Sequence, residues 1–130
     1  MLEEPGSLRK FLEYELAAAE RYRRFVSIVM VGSRQGAEKA RQVLKGTLRS
    51  SDVMEQIGDA AVVLMGETDS EGALCAIERY KDRCGRRHDM RFSIVTFPTD
   101  EAEPDALFST GNRRLEQAMA GDFGAVVATD

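Results

Sequence analysis

The sequence predicts a mixed α/β (α+β) domain, with a central antiparallel or mixed sheet flanked by helices, and three observations carry that prediction. The apolar, β-branched run Phe25-Val26-Ser27-Ile28-Val29-Met30-Val31 reads as a buried central strand. Gly58-Asp59 separates the apolar segments Asp52–Ile57 and Ala60–Met65 as the turn of a hairpin, because both residue types tolerate positive φ. Segments with helical spacing alternate with these strands, as expected when helices cover a sheet.

The first helix is expected from Ser7 to about Arg24, with Leu8, Phe11, Leu12, Leu16, Ala19 and Tyr22 on its inner face. After the first strand, Gly32-Ser33-Arg34-Gln35-Gly36 breaks the chain. A second helix then runs from Ala37 to about Leu48, burying Ala40, Val43, Leu44 and Leu48. Beyond the hairpin, Thr68-Asp69-Ser70-Glu71 has the form of a capping box. The helix it opens should bury Ala73, Leu74, Ile77 and Tyr80 and end near Gly85. Arg91–Phe97 is a strand stopped by Pro98. Pro104 suits the first turn of a last helix reaching about Met119, with Gly111 as an interruption, and Phe123–Ala128 forms a closing strand.

No repeat or internal linker divides the 130 residues, so one domain is expected, structured over about 7–127. With 43% hydrophobic and 31% charged residues the chain can build a core. A net charge of −4 argues against a nucleic-acid or membrane-surface binder. The longest apolar stretch, Val26–Val31, is far too short to cross a bilayer. Met1-Leu2-Glu3-Glu4-Pro5 lacks a signal-peptide pattern, and Cys75 and Cys84 have no CxxC spacing, which fits a cytoplasmic domain with free thiols. A single histidine, His88, excludes a His-rich metal site.

Glu13-Tyr14-Glu15-Leu16, Ala19-Glu20-Arg21-Tyr22 and Ser27-Ile28-Val29-Met30, taken with Leu48-Arg49-Ser50-Ser51-Asp52, Gly58-Asp59 and Glu67-Thr68-Asp69, resemble a GGDEF domain of the diguanylate cyclase family. Leu107-Phe108 and the Leu115…Ala118 spacing are similar to the family's closing helix. The likeness spans most of Leu12–Val127. It implies a palm-like fold related to nucleotide cyclases, in a bacterial signalling module. The family's reaction condenses two GTP into cyclic di-GMP, and two divalent metals stabilise the charge that develops on the phosphoryl oxygens.

The resemblance also implies that this chain lacks the apparatus. The strand-end aspartate position falls on Gly32, and the stretch that carries a substrate-contacting asparagine is shortened, with Gly36 leading almost directly into the second helix. The signature hairpin reads either Ile57-Gly58-Asp59-Ala60-Ala61 or Gly58-Asp59-Ala60-Ala61-Val62, and both put alanine at the glutamate. The phosphate-contacting lysine corresponds to Met119. The expectation is a domain that is not an enzyme, holds no metal or other cofactor, and serves as a regulatory or protein-interaction module. An active cyclase is the least favoured reading.

The alternative is a cyclic di-GMP receptor. Arg49-Ser50-Ser51-Asp52 has the form and position of the family's product-binding Arg-x-x-Asp site. A guanidinium can clamp phosphate or the guanine Hoogsteen edge, and a carboxylate can accept from guanine N–H groups. The same pattern recurs at Arg79…Asp82 and Arg86…Asp89, so only its position singles out Arg49 and Asp52. A structural role is equally simple, with Arg49 near a helix C-terminus and Asp52 shaping the turn into a strand.

Arg83, Arg86, Arg87 and His88 form a basic cluster that suits a helix C-terminus, a ligand-supporting arginine or a partner patch. Arg113-Arg114 is similar. Asp59 reads as turn chemistry, Cys75 as packing, and Met30, Met54, Met65 and Met119 as core or rim. The charged side of the first helix, with Arg9, Glu13, Glu20, Arg23 and Arg24, is a solvated face or a docking surface for a second copy or a fused signalling domain.

Overall fold

The computed structural model describes residues 7–84 and 89–130. The elements are α1 (Ser7–Tyr22), β1 (Val26–Ser33), α2 (Ala37–Lys45), β2 (Val53–Ile57), β3 (Ala60–Gly66), α3 (Ser70–Cys84), β4 (Met90–Phe97), α4 (Pro104–Ala120) and β5 (Val126–Val127). The sheet order is β2-β3-β1-β4-β5. Neighbours are antiparallel except the β4–β5 pair.

The strand predicted to be central is central, and every residue of β1 is buried. Because side chains alternate across a pleat, β1 feeds two cores. Val29 and Val31 join α2 and α3 on one face. Ile28 and Met30 join α1 and α4 on the other. The result is a three-layer α/β/α arrangement.

Several sequence expectations need correction. On α1 the buried stripe is Leu8, Leu12, Leu16 and Ala19, while Phe11 and Tyr22 face outward. The second helix ends at Lys45, leaving Leu48 in the following loop, half-buried against the core. The cap of α3 comes from Asp69: its carboxylate accepts the Gly72 N–H at 2.8 Å, while the Thr68 hydroxyl donates to the Gly66 carbonyl. On that helix Ala76 takes the buried place expected for Leu74, which is exposed. The closing strand is only two residues long.

Gly111 does not interrupt α4 but lets it approach the sheet. A Cβ there would lie 2.7 Å from Met30 Cε of β1. Two turns later the contact is reversed, since a Cβ on Gly32 of β1 would lie 2.7 Å from Met119 Sδ of α4. Each element thus offers a methionine to a glycine of the other. The Ser93 hydroxyl of β4 also donates to the Gly111 carbonyl at 2.9 Å.

The other anchor of α4 is Arg114, 3% exposed. Its guanidinium donates to the Ile94 carbonyl at 2.8 Å and to Asp100 at 3.0 Å. Asp100 in turn accepts the Thr96 N–H at 2.9 Å, so one arginine joins β4, the following turn and α4. Removing one member of a buried pair strands the other. Arg114→Ala should cost about 3 kcal/mol in urea unfolding, and a loss below about 0.5 kcal/mol would contradict this account.

Candidate functional site

The end of β1, the hairpin turn and the last turns of α4 converge on a cleft of about 950 Å³. Its lining includes Gly32, Ser33 and Arg34 from the first strand and its exit, Gly58, Asp59 and Ala60 from the hairpin, and Leu115, Glu116 and Met119 from α4. Gly58 has φ +58°, the left-handed conformation that the tight turn needs. Three positions singled out by the resemblance, far apart in sequence, therefore border one space.

The pleat separates the two hairpin alanines. Gly32 pairs with Ala60 across the β1–β3 ladder. Gly32 shares its face with Met30, and Ala60 shares that face through the α1/α4 core, whereas Ala61 turns into the opposite core. Ala60 is thus the hairpin residue that confronts Gly32 on the cleft side.

The floor of the cleft is a glycine, an alanine methyl and a thioether. Magnesium and manganese take several oxygen ligands, and sulfur is a poor one for them. Among the described residues no three His, Cys, Asp or Glu side chains cluster as a metal site. The cleft's carboxylates, Asp59 and Glu116, come singly from the turn and from α4. This donor set does not fit the two divalent metals that the resemblance implies.

Beside the cleft, Arg91 (4% exposed) holds the end of α4. Its guanidinium donates to the carbonyls of Ala118 at 3.1 Å and Met119 at 3.0 Å, and also to that of Gly121. A cation at a helix C-terminus satisfies carbonyls that have no helical partner. Asp89 completes the group, receiving Arg91 Nε–H at 2.9 Å and lying 3.2 Å from Arg34 Nε.

The Arg49–Asp52 segment lies at the other end of β2, roughly 17 Å away at about 3.4 Å per residue. It forms a closed turn: Asp52 accepts the Arg49 N–H on its carboxylate at 2.9 Å, and the Asp52 N–H donates to the Arg49 carbonyl at 3.0 Å. The Arg49 side chain is exposed. Tyr80 of α3 senses the charges of this turn, a link that the Arg-x-x-Asp spacing does not reveal. The Tyr80 hydroxyl is buried without a hydrogen-bond partner among the described residues, as is Arg79 Nη2. Burial pushes the Tyr80 phenol strongly up, the Asp52 charge adds to this, and Arg79 and Arg49 oppose it. One turn on, Arg83 lies over Gly46, where a Cβ would meet its Nη2 at 2.8 Å. The sequence signal was weak, because Tyr80 reads as core and Arg79 as the start of a chance Arg-x-x-Asp.

Of the predicted basic cluster, Arg86, Arg87 and His88 lie outside the described residues. Arg113 and Arg114 both reach Asp130. Cys75 is exposed, and so is Asp59 at its turn. No described helix is long and apolar enough to cross a membrane.

No family model matches the chain, and no curated protein matches it. Solved structures do. An N-terminally truncated variant of YfiN (TpbB) from Pseudomonas aeruginosa, comprising only its GGDEF domain, superposes with a TM-score of 0.86 at 16% identity, covering 99% of this chain and 91% of that one. The diguanylate cyclase SiaD of the same organism, solved with its activator SiaC, gives 0.74 at 14% identity, covering 94% of this chain and 56% of SiaD. A microbial GGDEF domain described in an interaction with cyclic di-GMP gives 0.69 at 11% identity, covering 93% and 90%. The chain has the fold of a GGDEF domain, the diguanylate cyclase fold.

The cleft's charge network makes a pH prediction. The hydrogen bond from Arg91 holds the Asp89 carboxyl below the usual aspartate value of 3.8. A lowered folded-state pKa stabilises the fold above that usual value, and the stabilisation is lost as pH falls through the lowered one. Asp89→Asn should therefore melt lower than wild type near pH 7, with the gap closing in strong acid. A gap that does not change with pH would count against the ion pair.

Proposed function

We propose that this chain is a catalytically inactive GGDEF-fold domain that works as a regulatory or protein-interaction module in bacterial, cytoplasmic signal transduction. The observation that carries the reading is the packing of Met119 sulfur onto Gly32, opposite Ala60, at the place where the resemblance puts metal and phosphate ligands. Phosphoryl transfer is driven by positioning and by charge stabilisation, with metals bridging the phosphates. A floor of methyl and thioether groups supplies neither.

The exposed aromatic residues of α1 suit an interaction module. Phe11, Tyr14 and Tyr22 are 49%, 74% and 58% exposed, large apolar groups that the core does not use. SiaD, of similar fold, was solved with a protein activator. The direct test is incubation of the purified domain with GTP and magnesium. No cyclic di-GMP should form, and its formation would overturn the reading.

One observation favours a second reading, a cyclic di-GMP receptor at Arg49 and Asp52. Buried polar atoms nearly always have partners, but the Tyr80 hydroxyl, within electrostatic reach of Asp52 and Arg49, and Nη2 of the adjacent Arg79 have none among the described residues. A phosphate or a guanine edge could satisfy them, with Asp52 exchanging the Arg49 N–H for guanine N–H donors. Calorimetric titration with cyclic di-GMP separates the two readings. Saturable heat that disappears in Arg49→Ala would establish the receptor, whereas no heat from folded protein leaves the interaction module.

A further inference from the structure

We infer that Gly32, Ala60 and Met119 form one interlocked set, in which the Met119 thioether, and not the missing carboxylates alone, keeps the cleft closed to hard divalent cations. This rests on the reading of the cleft as inactive and adds the residue that maintains the state.

Gly32 and Ala60 are register partners whose side-chain positions face the cleft. Cross-strand partners place their Cβ atoms about 4.5–5.5 Å apart, near enough for two carboxylates to share a cation. The space above Gly32 is taken, however. A Cβ there would lie 2.7 Å from Met119 Sδ and 3.5 Å from Leu115 Cδ1. A carboxylate at position 32 must displace the sulfur before it can reach a metal.

Methionine is unbranched and can rotate. Its backbone is anchored, because Arg91 donates to the carbonyls of Ala118 and Met119. Rotation therefore swings the thioether about a fixed point beside the cleft, where it offers a hard cation a poor ligand. Residues 32 and 119 are thus one packing solution: the half-buried Met119 side chain lies on a strand residue that has no side chain. Restoring the carboxylates without vacating position 119 should fail.

The test is Mn²⁺ binding, followed by the loss of the free-ion electron paramagnetic resonance signal. Gly32→Asp/Ala60→Glu should bind Mn²⁺ at least about tenfold more weakly than the same pair combined with Met119→Ala. Equal binding by both would overturn the inference, and so would failure of the folded triple variant to bind. Should the carboxylate variants not fold, a thermal cycle decides. Gly32→Ala should lower Tm in wild type by measurably more than in a Met119→Ala background. An equal cost in both backgrounds would overturn the interlock. Turnover of GTP by the wild-type protein would refute the inactive reading whichever way the cycle falls.

Discussion

The reciprocal contact between β1 and α4 is the constraint on which the rest depends. Met30 abuts Gly111 and Met119 abuts Gly32, so strand and helix each supply one projecting side chain and one gap. Interiors pack at near-crystalline density, and such pairs fix the height and rotation of a helix on a sheet. Arg114 and Arg91 then hold the middle and the end of α4 through carbonyls and carboxylates. The shape of the cleft follows, because α4 forms one of its walls.

Much of the architecture was legible in local pattern. The β-branched run of β1 could only be buried on both faces, and Gly58-Asp59 marked the hairpin because few residues accept positive φ. Finer features were not legible, since local rules admitted more than one solution. Thr68 and Asp69 are adjacent and both can cap; the helix register selected Asp69. Phe11 and Tyr22 share helical spacing with the buried leucines, yet α1 packs on one narrow stripe and leaves them outside. Phe123–Ala128 looked like a full strand, but only Val126 and Val127 pair with β4.

The site shows the same division. The resemblance pointed to Gly32, the hairpin alanines and Met119 as separate departures from a catalytic pattern. In the fold Gly32 and Met119 touch, and the pleat places Ala60 opposite them. Nothing in the spacing of residues 32 and 119 could disclose that contact. At the far end of β2, Arg49 and Asp52 were visible as a motif, but their neighbours on α3 were not. Tyr80 comes to sense the charges of that turn only through the tertiary fold, in which Arg83 of the same helix lies over Gly46 in the loop after α2.

The most direct test of the central claim is an amide-resolved NMR titration of the wild-type domain with GTP and Mg²⁺. The amides of Gly32, Gly58 and Asp59 should stay in place up to millimolar nucleotide, because among the described residues the cleft gathers no cluster of carboxylates for a metal-bound triphosphate. Saturable shifts centred on those three amides would contradict it.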